Sequence, residues 1–294
     1  MVHAPVKNSI SIGILLTSLS YLLFTCHDVT IKLLVDSFSV WQILFFRSLT
    51  ILLTCLIFGG RTLVADTINS PIIKPMALRS LMLLTAWLSY YTAAKDLPLA
   101  ELTTLYFAAP VVATVLAVPI LREVVTTPRW LAVAVGFTGV VIASNPAEMS
   151  ISLPVYLALQ AACLWASATV LLRKTAMAER SLVQMTMSNL FFLGLTGVMV
   201  VVSWETPSLP QLGLLLATGV IGAAGQFAFF EGMRRAPISV LAPFEYTALV
   251  WAFALGYLVW SDVPKTEVFV GASLIISAGL IIILSERRRA AGAV

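Results

Sequence analysis

Residues 87–110 read WLSYYTAAKDLPLAELTTLYFAAP, and the chain repeats this pattern further on. A shift of 139 positions sets Tyr90 and Tyr91 on Phe229 and Phe230, Lys95 on Arg234, Pro98 on Pro237, Leu102 on Leu241 and Phe107 on Tyr246. Glu123 falls on Asp262 under the same shift. Each copy reads as the end of an apolar helix, a tight basic turn closed by proline, and a second apolar helix with an internal proline, Pro110 or Pro243. A mid-helix proline removes a ladder hydrogen bond and kinks the helix. Pro110 and Pro243 are therefore expected hinges, in related helices although the two prolines do not align.

The composition around these hairpins is that of a membrane protein. The chain is 60% hydrophobic and 11% charged, with a mean hydropathy of +0.98, against about 25% charged residues in a soluble domain. A membrane-spanning helix needs about 20 apolar residues. Ten such runs are present, near 10–35, 40–58, 76–95, 99–120, 128–144, 153–176, 182–203, 208–233, 238–260 and 266–285. So many runs in 294 residues leave no amphipathic helices to cover a large soluble core. They also lack the short alternation of barrel strands. Cys26, Cys55 and Cys163 all fall inside apolar runs and read as inert thiols, neither disulfide partners nor metal ligands. The first apolar run has no small-residue cleavage site and reads as a retained helix.

Basic residues set the orientation. Fourteen of the 18 lie on the side of the N-terminus: Lys7, Arg61, Lys74, Arg79, Arg122, Arg129, Arg173, Lys174, Arg180, Arg234, Arg235 and Arg287 to Arg289. Three, Lys32, Lys95 and Lys265, lie opposite, and Arg47 is within a helix. The bias places both termini in the cytoplasm and supports an even number of spans. It also accounts for the net charge of +4 without nucleic acid.

A second offset, 142 positions, sets Lys32 on Lys174, Ser39 on Ser181 and Gln42 on Gln184. The expected fold is thus an all-α integral membrane protein of ten transmembrane helices in two five-helix repeats, residues 1–146 and 147–294. Because five is odd, the second repeat enters from the opposite side. Inverted repeats of this kind surround a site near the midplane and alternate its access. The polar, proline-bearing stretch 144–154 reads as the linker.

Several polar and aromatic residues inside the apolar runs are candidates for such a site. Asp28 and Arg47 have matching depths in the first two helices, and a lone buried charge costs several kcal/mol or more. They are expected to face each other or to share polar partners, either as a fixed ion pair or in coupling and binding. His27 is a structural histidine or a proton relay. Trp87 and Tyr91, four apart, share a helix face. With Tyr90, Tyr106, Trp165, Gln226, Phe229, Glu245 and Tyr246 they either line a cavity or pack as ordinary aromatics. Glu245, about seven residues inside its helix, suits a substrate ammonium or a proton, or a hydrogen-bonded structural role. Gly219, Gly222 and Gly225 lack the phosphate-loop signature and read as small residues for close helix packing.

Ten helices in two inverted units, the acidic ends Glu123 and Asp262 and the following glycines Gly136, Gly139, Gly271 and Gly279 resemble the drug/metabolite transporter superfamily, specifically its EamA-type carriers. The pattern is most similar to the YddG-like exporters of aromatic amino acids. The resemblance implies a bacterial inner-membrane carrier with a central cavity between helices one, three, four, six, eight and nine. It implies no enzymatic activity, no catalytic residues, no cofactor and no metal.

Three functional readings follow. The first is a secondary transporter exporting aromatic or other hydrophobic amino acids and related metabolites by alternating access, with hydrophobic cations or drugs as the alternative cargo. Its partners are then a small-molecule substrate and membrane lipid, with no nucleic acid; the sequence leaves the oligomeric state open. The second is an integral-membrane enzyme acting on lipid, which would want clustered acids or histidines; only His3 and His27 are present. A non-transporting membrane partner is a third reading.

Overall fold

The computed structural model describes residues 10–35, 37–93, 96, 105–144, 152–260 and 266–291, and the described residues form helices and connecting turns without strands. In chain order the helices are α1 (Ile10–Lys32), α2 (Val40–Gly59), α3 (Leu63–Ile68), α4 (Ile73–Ala93), α5 (Ala109–Leu121), α6 (Thr127–Ser144), α7 (Leu153–Thr175), α8 (Ser181–Val200) and α9 (Leu209–Arg235). They continue with the single turn α10 (Ile238–Leu241), a 3₁₀ segment (Ala242–Tyr246), α11 (Thr247–Trp260) and α12 (Thr266–Ala291). The sequence marks several starts chemically. Ser39 caps α2 by accepting from the Gln42 amide at 3.3 Å, and Ser208 with Gln211 forms a capping box on α9, each satisfying amides that the first turn leaves open.

Among the described residues, six segments are long and apolar enough to cross a bilayer: Ile10–Lys32, Val40–Gly59, Leu153–Thr175, Ser181–Val200, Leu209–Arg235 and Ile238–Val259. Ala109–Leu121, Thr127–Ile142 and Phe269–Ser285 are shorter apolar helices. The remaining expected run is α4, which carries Lys74 and Arg79. The short α3 was not foreseen. Residues 145–151 of the expected linker 144–154, Lys95 and Asp262 lie outside the described residues.

Packing between the helices follows one rule. α1 runs along α9 and α4 along α7, while α2 pairs with α8 and α6 with α12. α5 meets α7, and α11 meets α1. Exchanging α1, α2, α4, α5 and α6 with α7, α8, α9, α10–α11 and α12 turns the first contact into the second and α5·α7 into α11·α1. The pairs α2·α8 and α6·α12 map onto themselves, so the contact pattern has pseudo-two-fold symmetry. Glycine permits the closest approaches. A Cβ on Gly139 would stand 2.7 Å from the Gly271 carbonyl, between α6 and α12, and one on Gly219 would stand 2.3 Å from Thr50 Cβ.

Pro110 departs from its expected place inside a helix. Pro110 lies in the first turn of α5, where a missing N–H costs no ladder bond; it starts a helix and does not kink one. The proline inside α5 is Pro119. Pro243 sits within the 3₁₀ segment that separates α10 from α11. The two copies nevertheless break at matching places. Leu105 and Tyr106 are helical, Phe107 and Ala108 form a turn, and helix resumes at Ala109, so Tyr106 stands at one interruption as Glu245 stands at the other. Helix interruption aligns where the prolines do not: Pro243 lies within the 3₁₀ segment, whereas Pro110 follows the turn at Phe107 and Ala108.

Polar contacts concentrate at the two ends of the bundle. At one end Arg180 pairs with Asp66 at 2.5 Å, Ser70 donates to Glu179 at 2.8 Å, and Ser181 donates to Glu231 at 2.5 Å. Glu231 also pairs with Arg234 at 3.2 Å and with Arg235, and Arg173 donates to the Met233 carbonyl. At the other end Ser39 meets Ser203 at 2.9 Å, and Gln42 exchanges bonds of 2.6 and 2.8 Å with the Glu205 backbone. Arg79, counted above with the residues flanking the membrane, is instead the seventh residue of α4 and is 1% exposed.

Candidate functional site

The two helix interruptions bring Tyr106 and Glu245 into one cluster. Glu245 is buried, and its carboxyl faces the Tyr21 hydroxyl and the Trp165 indole. The indole Nε1 approaches it without forming a well-aligned hydrogen bond. Aromatic rings close the surroundings. Trp165 stacks on Phe229 with centroids 5.8 Å apart, and Phe229 meets Tyr21 edge-on at 5.9 Å and Phe24 at 6.0 Å. On the other side Trp165 lies 6.5 Å from Tyr106, which meets Tyr90 edge-on at 5.0 Å. Among the described residues no basic side chain pairs with Glu245.

This box draws on α1, α4, the helical residues just before the Phe107–Ala108 turn, α7, α9 and the 3₁₀ segment before α11. A helix with a broken ladder exposes backbone and side chains that an intact helix would stack, so interruptions recur where transporters hold solutes. Chemically the box offers flat π faces and one carboxylate. That combination attracts an organic cation, through charge and through the ring quadrupoles.

The other candidates fall in a separate layer. His27 is buried between Arg47, whose Nε donates to His27 Nε2 at 3.0 Å, and Asp28, whose Oδ1 lies 3.4 Å from His27 Nδ1. Asp28 and Arg47 thus share His27 without meeting, and the Asp28 side chain is 71% exposed. The Arg47 guanidinium also lies 4.4 Å over the Trp87 ring, which stacks on Phe192 at 5.9 Å. Gly222 makes room for this group: a Cβ there would stand 3.3 Å from Arg47 Nε and 3.4 Å from His27 Cδ2. Gln226 accepts from Asn189 Nδ2 at 3.0 Å.

The structure therefore gathers Tyr90, Tyr106, Trp165, Phe229 and Glu245, and places His27, Asp28, Trp87 and Gln226 apart from them. Tyr246 turns away, packing on Phe107 at 5.9 Å and against Gly136 in α6. The Tyr91 side chain lies outside the described residues. Sequence reasoning missed Tyr21 and Phe24, whose three-residue spacing on α1 was the available signal, and Arg79 and Asn189, which are buried in helix interiors. A cavity of about 360 Å³ lies elsewhere, toward the Ser39 end, lined by Val35, Phe38, Ser39, Val40, Trp41, Leu88 and Thr92.

Comparison with known proteins matches these features to one family. A family model described as the EamA-like transporter family matches residues 11–145 and again 152–284. The chain is 30% identical to an S-adenosylmethionine uptake transporter of Rickettsia prowazekii, over 94% of each chain. It is 27% identical to a riboflavin transporter of Vibrio cholerae, over 65% of this chain and 63% of that one. A protein crystal structure shares its fold at a TM-score of 0.77 and 18% identity, covering 95% of this chain and 99% of the other. With two helix-rich matches spanning nearly its whole length, the chain belongs to the EamA-like transporter family, and it is a multi-pass membrane transporter.

Proposed function

We propose that this protein is a secondary carrier of a small organic cation bearing an aromatic ring, moved across a bacterial inner membrane by alternating access. The observation that carries this reading is the buried Glu245 carboxyl, which faces Tyr21 and Trp165, with Phe229 and Tyr106 packed on those rings, and lacks a basic partner among the described residues. A buried carboxylate without a counter-charge costs several kcal/mol. A bound ammonium or sulfonium supplies that charge, and the rings add cation–π attraction of about 0.5–2 kcal/mol.

S-adenosylmethionine joins a sulfonium, an ammonium and a flat purine in one molecule. The relatives named for its uptake make it the first substrate to test. An aromatic amino acid offers an ammonium and a ring to the same groups. Its export is the second reading, favoured by the rings of Tyr21, Tyr106, Trp165 and Phe229 gathered beside the carboxyl.

The carrier architecture we infer is ten spans in two inverted five-helix units, residues 1–146 and 147–294, with both termini in the cytoplasm. The pseudo-two-fold packing supports the inversion. The linked layer of Arg173, Arg180, Arg234 and Arg235 at one end supports the orientation. Glu245 and Tyr106, at equivalent interruptions, then lie close to the axis between the units.

Uptake of labelled S-adenosylmethionine by proteoliposomes, set beside an aromatic amino acid and a simple aromatic cation, tests the assignment. Glu245→Gln is expected to weaken uptake of the cationic substrates about tenfold or more while the protein stays monodisperse. Equal uptake by wild type and E245Q would overturn the role of the carboxylate. Absence of flux for both S-adenosylmethionine and the aromatic cation would overturn the substrate class.

A further inference from the structure

The segment that carries Glu245 is held at its start by an acid from the other half of the chain. Glu123 Oε1 accepts from the Ile238 amide at 2.9 Å, and Oε2 accepts from the Ser239 amide at 3.1 Å and the Ser239 hydroxyl at 2.7 Å. Arg129 Nη1 donates to the same hydroxyl at 2.9 Å. The single turn α10 has no side-chain cap of its own, so Glu123 supplies the cap across the junction between the two halves. The backbone is shaped to deliver it: Arg122 ends α5 in the left-handed region at φ 54, and the Glu123 amide folds back to the Ala117 carbonyl at 3.2 Å. Left-handed backbone is unfavourable for a residue with a Cβ.

Only one helical turn separates this junction from the 3₁₀ segment Ala242–Tyr246 that contains Glu245. The contacts lie at the end of the bundle that holds Arg173, Arg234 and Arg235. We propose that Glu123 is the latch of this mouth and a positioning residue for Glu245: while it caps α10 the mouth is shut and Glu245 is held in the aromatic box, and its release lets α10 and Glu245 move together. The inference extends the functional reading of Glu245, but the latch can be tested without a substrate.

Glu123→Gln is isosteric and turns one acceptor oxygen into a donor facing an N–H. Leu241, fully buried in the cluster on the inner side of α10, is replaced by cysteine as the reporter. Cys26 and Cys163 are changed to alanine, and the buried Cys55 is kept as a control. In lipid nanodiscs, a water-soluble maleimide is expected to react with L241C about tenfold faster in E123Q than in the Glu123 protein, with Cys55 protected in both. In a separate E123C/S239C variant carrying L241C, oxidative crosslinking of the new pair is expected to keep L241C slow. Equal L241C rates with and without E123Q would overturn the latch. Reaction of Cys55 in step with L241C would also overturn it, since that reports general loosening. Should the latch hold while E245Q leaves uptake unchanged, the substrate reading fails and the latch stands.

Discussion

Arg79 donates to Gln184 Oε1 at 2.6 Å across the contact between α4 and α8, and neither helix contains an acid. The same guanidinium donates to the Gln184 carbonyl at 3.2 Å and to Ser188 Oγ at 2.8 Å, and lies 4.9 Å over the Phe230 ring. A buried cation is thus held by neutral dipoles and a π face. Hydrogen bonds to a charged group are worth about 1.5–3 kcal/mol, so Gln184 fixes how these two helices sit.

Replacement of Gln184 by leucine removes the side-chain acceptor and leaves the Nη1 donor unsatisfied. It is expected to lower stability by about 2–3 kcal/mol, read as a lower unfolding midpoint of the purified protein. Gln184→Glu supplies the missing charge and is expected to hold or raise that midpoint. Equal midpoints for Q184L and wild type would mean that the interaction does not stabilise the bundle.

Glycine packing gives a matched pair. Gly219→Ala drives a methyl to 2.3 Å from Thr50 Cβ, whereas Gly213→Ala on the same helix meets nothing within 4 Å. Overpacking costs about 1–3 kcal/mol, so G219A is expected to destabilise and G213A to be neutral or mildly stabilising, in the same unfolding measurement. The reverse order would contradict the close approach of α2 and α9.

Trp165→Leu removes the ring between Phe229 and Tyr106 while leaving Glu245 in place. Loss of the cation–π face is expected to weaken binding of an aromatic cation by about threefold to thirtyfold. A small aliphatic ammonium probe, which needs the carboxylate more than the ring, should change less. Equilibrium binding of both probes to the purified variant checks the difference, and equal losses would speak against an aromatic wall.

Much of the fold was legible in the sequence because it rests on local chemistry. Most apolar runs predicted described helices to within a few residues, for example 128–144 against Thr127–Ser144 and 153–176 against Leu153–Thr175, whereas the run 99–120 meets a helix that starts at Ala109 and the run 238–260 is broken by the 3₁₀ segment Ala242–Tyr246. The offset of 139 positions also sets Tyr106 on Glu245, two residues that the structure places at matching helix interruptions. Proline was a poorer guide. Its effect depends on where a helix begins, so Pro110 starts α5 while Pro243 sits inside a break.

The site was legible only in part. Sequence singled out Tyr90, Tyr106, Trp165, Phe229 and Glu245 as polar or aromatic interruptions of apolar helices. It could not separate them from Trp87, Gln226 and His27, which share those helices but face other neighbours. A helix turns about 100° per residue, and in a membrane both its lipid face and its protein face are apolar, so no hydrophobic stripe marks the inward side.

By itself, then, the sequence determined that this is a many-helix membrane protein made of two related halves, since bilayer thickness sets the length of apolar runs and duplication leaves its offset. Tertiary structure alone decided that Glu245 faces Tyr21 and Trp165, that His27 stands between Asp28 and Arg47, that Arg79 is buried beside Gln184, and that Glu123 caps the turn at Ile238. Each of these depends on the rotation and depth of one helix against another. Side-chain packing sets those quantities between helices whose contacting residues stand from 20 positions apart, as in His27 and Arg47, to more than 100, as in Arg79 and Gln184, and no local pattern encodes them.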